Sequence, residues 1–232
     1  MPEIIVIIPA LNEERAIGSV LSHIPGDIAA EVVVVDNNSS DATALVARNL
    51  GATVVHEIRQ GYGYACLKGI EFVMSRQPKA DIVVFLDADY SDCPEEMAAL
   101  IKPIIEQKYD MVLGSRVLGS HEKGAMPWHQ ILGNQLSIAF INALYNVRYT
   151  DLGPFRAIRF DKLLELHMTE KRYGWTAEMQ AKAARRGLRC LEVPVSYRPR
   201  IGTSKISGTV KGTLCAGYSI LATLIKNRLA YE

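Results

Sequence analysis

Short runs of consecutive apolar residues punctuate the first ninety positions. Residues 4–8 read Ile-Ile-Val-Ile-Ile, 31–35 read Glu-Val-Val-Val-Val, and 81–86 read Asp-Ile-Val-Val-Phe-Leu. Runs rich in β-branched residues suit strands buried on both faces of a parallel sheet. Between them the spacing turns helical. Over 13–24, Ile17, Val20, Leu21 and Ile24 fall on one face, and 41–50 and 64–75 also read as helices. A weaker strand is expected at 53–56. Pro94-Glu95-Glu96 opens a helix to about residue 106, with proline and acids in its first turn. Met111-Val112-Leu113 reads as a further strand. Alternation of strand and helix predicts an α/β fold with a mainly parallel central sheet flanked by helices.

The second half changes character. Residues 117–127 hold Gly119, Gly124 and Pro127 among charges, the pattern of a surface loop. Such a loop is either a lid that closes over a ligand and excludes water or a plain connection. A helix is expected over 128–146, strands over 154–160 and 189–197, and a helix over about 174–186. Residues 198–208 are polar. A last helix is expected over about 208–228, leaving 1–207 as the main domain and 208–232 as a C-terminal appendage. Its apolar Val210, Leu214, Leu221 and Ile225, flanked by Lys211, Lys226 and Arg228, suit a membrane surface. They suit equally a helix packed on the core or on a second subunit.

Composition narrows the function class. Of 232 residues, 49% are hydrophobic and 22% charged, close to the average of folded globular chains. The net charge is +1, so a global field for nucleic acid is absent and no nucleic-acid partner is expected. Cys66, Cys93, Cys190 and Cys215 lie far apart, which predicts neither a zinc site nor a disulfide framework and favours a reduced, cytoplasmic setting. The Met-Pro-Glu start carries no signal-peptide pattern. No apolar run is long enough to predict a membrane span.

Candidate chemistry sits where predicted strands end. Asp87-Ala88-Asp89 follows the third apolar run. Two carboxylates one residue apart can hold Mg²⁺ or Mn²⁺, which takes diphosphate oxygens and water as further ligands. A solvated turn capping the next helix is the alternative. Asp36 follows the second run and suits a hydrogen bond to a nucleoside or a turn. Asp41 is expected to cap the next helix. Pro9-Ala10-Leu11-Asn12-Glu13 closes the first run. In a parallel sheet these ends share one edge, and their convergence points to a nucleotide–metal site. The five histidines show no ligand spacing.

These motifs together resemble the family 2 glycosyltransferases of GT-A fold. The resemblance rests on 9–13, on Val35 through Thr43 and on Asp87-Ala88-Asp89, with Gly61-Tyr62-Gly63-Tyr64-Ala65 as a glycine-rich loop. Gly114-Ser115-Arg116, Thr150 through Arg156 and Arg200 through Lys205 are similar to the dolichol-phosphate mannose synthase-like and polyprenyl-phosphate glycosyltransferases. The resemblance implies that Pro9, Leu11, Glu13 and Asp36 line a base and ribose pocket, with Gly61 and Ala88 also facing the nucleotide-sugar. It implies that Asp87 and Asp89 hold the metal, and that Arg116, Arg200 and Lys205 bind phosphates. Arginine grips phosphate bidentately and lysine adds a point charge. Where those synthases commonly carry Gln, two residues beyond Asp89, this chain has Ser91, and Pro154-Phe155-Arg156 replaces a Gly-Phe pattern.

The expected reaction is inverting hexose transfer from a UDP- or GDP-sugar to an acceptor, with polyprenyl phosphate favoured. Asp89 and Arg200 are expected in the catalytic centre. If the acceptor is a sugar hydroxyl, Glu178 or Asp151 would be the general base. Otherwise Glu178 is a helix-start carboxylate favoured by the dipole, and Asp151 pairs with Arg156. Trp175 is read as core, with a sugar-stacking platform as the alternative. Expected partners are the nucleotide-sugar donor, a lipid-phosphate acceptor at the cytoplasmic membrane face, and a second subunit or membrane protein. A non-catalytic nucleotide-sugar-binding subunit is the reading from another class.

Overall fold

A computed structural model describes residues 2–202 and 210–229, with side chains from 217 onward in the last helix. Strand β1 (Ile4–Ala10) is buried over all its seven residues. Its alternation serves two cores. Ile5 and Ile7 face one hydrophobic cluster, whereas Ile4, Val6 and Ile8 face the other. A strand buried on both faces has no room for a polar side chain, so β1 lies inside the sheet.

Its neighbours are β2 (Glu31–Asp36) on one side and β4 (Ile82–Phe85) on the other, both parallel. Beyond β2 lies β3 (Thr53–His56). Beyond β4 come β6 (Arg156–Arg159), β5 (Met111–Ser115) and β7 (Cys190–Pro194), giving the order β3-β2-β1-β4-β6-β5-β7. Among these strands β6 alone runs against the rest, antiparallel to both β4 and β5.

Helices cover both faces. On one side lie α1 (Ile17–His23), α2 (Thr43–Asn49) and α4 (Met97–Gln107), contributing Val20, Ala47 and Leu100 to the core. On the other lie α3 (Tyr62–Ser75), α5 (Trp128–Tyr145), α6 (Phe160–Glu165), α7 (Trp175–Arg185) and α8 (Val210–Leu229). They bring Ile70, Ile141, Leu163, Met179 and Leu224 to the second core. The C-terminal helix therefore packs on α5 and α7 of its own chain: Tyr145 donates to the Leu224 carbonyl at 2.6 Å.

Boundaries depart from expectation where local turns compete. The first helix begins at Ile17 rather than 13, because Asn12 has a φ of 52° and the Glu13 carbonyl accepts from both Ala16 and Ile17 in a turn. Asp41 lies one residue before the cap position of α2, Ala42, and accepts from the Thr43 N–H at 3.0 Å. The expected strand 154–160 shortens to β6 and gives way at once to α6, whose Phe160 and Leu163 are buried three residues apart. Cys66 and Cys93 are buried free thiols and Cys190 is a half-buried one.

The glycine-rich loop has a packing reason. A Cβ on Gly63 would lie 2.1 Å from the Glu170 carbonyl oxygen. Gly61, at φ +154°, would meet the Lys171 carbonyl at 2.4 Å. Only glycine lets α3 start against this backbone. Gly63→Ala is expected to cost about 1–3 kcal/mol, read as a fall of several degrees in Tm by calorimetry. Gly18→Ala, whose Cβ would make an ordinary 3.6 Å contact with Leu50, is the control expected to leave Tm nearly unchanged.

Candidate active site

The order of strands reverses between β1 and β4, and in open α/β sheets ligands bind at such a switch point, beyond the carboxyl ends. A cavity of about 630 Å³ opens there. Pro9, Leu11 and Glu13 reach it from the end of β1, and Asp87, Ala88 and Asp89 from the end of β4. Gly61, Arg116 and Arg200 also line it. The structure thus brings together most of the residues singled out in the sequence. Lys205 lies outside the described residues.

Asp36, Asp151 and Glu178 are not on the cavity lining. Asp36 is buried, accepting from the Ser39 N–H at 3.3 Å and pairing with His56 Nδ1 at 3.0 Å. The neighbouring Asn37 faces the cavity instead. Its side chain donates to the carbonyls of Glu57 and Arg59 at 3.1 and 2.8 Å and accepts from the Gly61 N–H at 2.7 Å. It ties the end of β2 to the start of α3.

Asp151 pairs with Arg116 rather than Arg156. Arg116 donates from Nε and from a terminal nitrogen to the two carboxylate oxygens at 2.7 and 2.6 Å, and from its backbone N–H at 2.9 Å. Both side chains are buried, so the pair is a bidentate clamp. Arg156 is fully buried and bonds the carbonyls of Gly153 and Thr176. Glu178, in the first turn of α7, accepts from the N–H groups of Thr169 and Glu170 and from the Thr169 hydroxyl, and pairs with Lys182 at 2.9 Å. Trp175 is 1% exposed, packs edge-on against Phe85 at 5.9 Å, and forms part of the cavity's inner wall.

The acids at the end of β4 define the electrostatics. Burial, followed by the charge of Asp89, pushes the Asp87 carboxyl up to about 7. Tyr62 donates its hydroxyl to Asp87 at 3.0 Å and opposes that rise. Asp89 accepts from the N–H and hydroxyl of Ser91 at 2.9 and 2.6 Å and pairs with Arg200, whose guanidinium also lies 3.8 Å from Glu13. Ser91 thus binds the carboxylate of Asp89. Asp92 is buried, and neither of its oxygens has a hydrogen-bond partner among the described residues. Burial, with the charges of Asp87 and Asp89, pushes its carboxyl well above the usual range.

The sequence reading missed Tyr62, Asn37 and Tyr197. The first lay in the glycine-rich motif and the second in the acidic turn. Tyr197, whose ring the Arg116 guanidinium covers at 5.0 Å, carried no signal.

Two carboxylates, Asp89 buried and Asp87 half-buried, with a guanidinium seated on Asp89, suit a hard cation, for which the guanidinium is a stand-in. Among the described residues no cluster of three acidic, histidine or cysteine side chains forms a closed cage. The donor set fits a cation that keeps open positions for diphosphate oxygens and water.

A mainly parallel seven-stranded sheet with the site at its switch point is the GT-A fold of nucleotide-diphospho-sugar transferases. Residues 5–166 match Glycosyl transferase family 2, and the chain belongs to that family. An uncharacterized glycosyltransferase of Mycobacterium tuberculosis is 36% identical over 214 residues, covering 91% of this chain and 93% of the relative. A dolichyl-phosphate hexose transferase of Haloferax volcanii is 34% identical over 230 residues, covering 98% and 96%. Glucosyl-3-phosphoglycerate synthase from Mycobacterium tuberculosis, solved with Mn²⁺, uridine diphosphate and glucosyl-3-phosphoglycerate, shares the fold at a TM-score of 0.76 and 22% identity. It covers 100% of this chain and 81% of that one.

Two predictions follow the charges. Asp87 releases its folded-state proton only near pH 7, against 3.8 ordinarily, so without metal the stability that proton confers is lost as pH rises through that window. A divalent cation competes with the same proton. The thermal shift given by Mn²⁺ is expected to grow between about pH 6 and 8, and a pH-independent shift would contradict it. Asp92→Asn, an isostere without charge, is expected to keep Tm and Mn²⁺ binding, whereas Asp89→Asn loses Mn²⁺ binding; calorimetry and titration read both.

Proposed function

We propose that this protein is an inverting, metal-dependent hexosyltransferase that moves a sugar from a nucleotide-sugar to a polyprenyl phosphate at a membrane surface. One observation carries the acceptor. The two carboxylates suited by sequence to act as base, Asp151 and Glu178, are buried in pairs with Arg116 and Lys182 and do not line the cavity. A hydroxyl acceptor requires proton removal. A phosphate arrives already ionised and needs none.

The remaining groups fit that chemistry. Pro9, Leu11, Glu13 and Asn37 form the wall for base and ribose. Asp87 and Asp89 would hold Mg²⁺ or Mn²⁺, which when bound would neutralise diphosphate charge as the nucleoside diphosphate leaves. Arg200, drawn off Asp89 by an incoming phosphate, becomes a phosphate ligand. Arg116, fixed from behind by Asp151, presents a second cation to the cavity, and Arg172 a third. In this reading Asp151 and Glu178 are positioning residues. The Haloferax volcanii dolichyl-phosphate hexose transferase supports the acceptor class.

Transfer of radiolabelled sugar from UDP- or GDP-sugars to undecaprenyl or dolichyl phosphate tests the reading. Transfer only to saccharide hydroxyls overturns it. Glu178→Gln is expected to reduce turnover no more than it reduces folded protein, while Arg200→Ala lowers kcat/KM by about a hundredfold or more, the loss of a charged phosphate contact.

A further inference from the structure

Residues 149–152 lie between α5 and β6 in neither helix nor strand, and Tyr149, Asp151 and Leu152 are buried. A buried stretch of irregular backbone must find partners for its N–H groups. Here side chains supply all four. Tyr149 N–H donates to Asn142 Oδ1 at 2.8 Å and Leu152 N–H to Asn134 Oδ1 at 3.1 Å. The two N–H groups between them go to one carboxylate, that of Glu192. Thr150 donates to its two oxygens at 3.0 and 2.9 Å, and Asp151 to one of them at 3.1 Å.

Alternation along β7 aims Glu192 at this stretch. Leu191 and Val193 pack against one core and Cys190 against the other, so Glu192 shares the face of Cys190, where α5 and α7 lie. Burial raises its carboxyl, and the N–H groups of Thr150 and Asp151 oppose that rise. An ionised acceptor makes a stronger hydrogen bond than an amide, and this one is spent on two adjacent backbone groups. Asp151 is held at its other side too, where its carbonyl accepts from Gln180 Nε2 at 3.1 Å. The Thr150 hydroxyl meets that of Ser115 at 2.6 Å. The Asp151 carboxylate therefore reaches Arg116 from a fixed origin, and Arg116 lines the cavity.

We infer that Glu192 is a positioning residue: by fixing the backbone of Thr150 and Asp151, it sets where the Arg116 guanidinium meets a phosphate. Glu192 is not on the cavity lining, so it acts only through Asp151. The inference rests on the phosphate role given to Arg116 above and adds what keeps that arginine in register. Loss of Glu192 displaces the guanidinium rather than removing it, and a displacement of about 1 Å can cost on the order of a hundredfold.

Urea unfolding without ligand tests the relay alone. Glu192→Leu is expected to destabilise the wild type more than it destabilises Arg116→Met, because the second background has no clamp left to loosen. Equal destabilisation in both overturns the inference. Where either variant fails to fold, Glu192→Gln and Arg116→Lys take their places. Glutamine keeps one acceptor oxygen, and lysine keeps the charge without the two-point grip.

Titration with geranyl phosphate, and with uridine and guanosine diphosphate in the presence of Mn²⁺, reads the position of the guanidinium. A ligand whose affinity falls in Arg116→Met is expected to fall about tenfold or more in Glu192→Leu and by less in Glu192→Gln. Adding Glu192→Leu to Arg116→Met should cause no further fall. A purely structural role would lower the folded fraction and leave the affinity of the folded protein unchanged. Wild-type affinity in Glu192→Leu, or an undiminished loss in the Arg116→Met background, overturns the positioning role. Arg116→Met that binds all three ligands as the wild type does would overturn the phosphate role of Arg116, whereas a failed unfolding cycle overturns only the relay.

Discussion

The burial of β1 on both faces is the constraint from which the rest follows. Seven residues without access to water cannot carry polar chemistry, and the same holds for β4. Polar side chains are displaced to the carboxyl ends, where the sheet stops and the helices have not yet begun. Because β2 and β4 flank β1 in parallel, the displaced groups meet at one edge. The cavity is the space left where α1 and α4 turn to one face of the sheet and α3 to the other.

Such an edge concentrates negative charge in a poorly solvated place. Each acid is satisfied differently. Asp87 keeps a proton near neutrality and takes a tyrosine hydroxyl, Asp89 takes Ser91 and Arg200, and burial raises the carboxyl of Asp92. The result is a ground state in which the carboxylates are held by a tyrosine, a serine and an arginine, the groups that the proposed cation and diphosphate would displace. Arg116 is treated oppositely. Its clamp to Asp151 fixes it in place, so in the proposed reading a phosphate would meet a side chain already ordered.

Much of this arrangement was legible in the residues. The β-branched runs announced β1, β2 and β4, and the acids after them announced the edge. The limits were physical. Asp36 and Asn37 are adjacent at a strand end, and which of them faces the cavity depends on the pairing of Asp36 with His56 across β3. Asp151 was expected near Arg156 because the two are close in sequence, but the clamp to Arg116 spans 35 positions. Glu178 was read as a base or as a helix-start carboxylate; its partners come from a segment eight and nine residues earlier, which spacing did not reveal. The six-residue α6 is too short for periodicity to reveal. Long-range pairing is what a pattern of spacing leaves out.

The clasp between Arg116 and Asp151 also has a meaning for descent. Ser115 and Thr150, one position before each partner, share a hydroxyl bond at 2.6 Å. The chain leaves the sheet at one side of this double fastening and returns at the other, with α5 and the loop before it carried between. The exposed part of the segment between, residues 117–127, can lengthen or shorten while Ile138 and Ile141 keep α5 in the core beside β5 and β6. A double fastening of this kind lets a surface segment drift in descent while the sheet edge on either side of it keeps its shape.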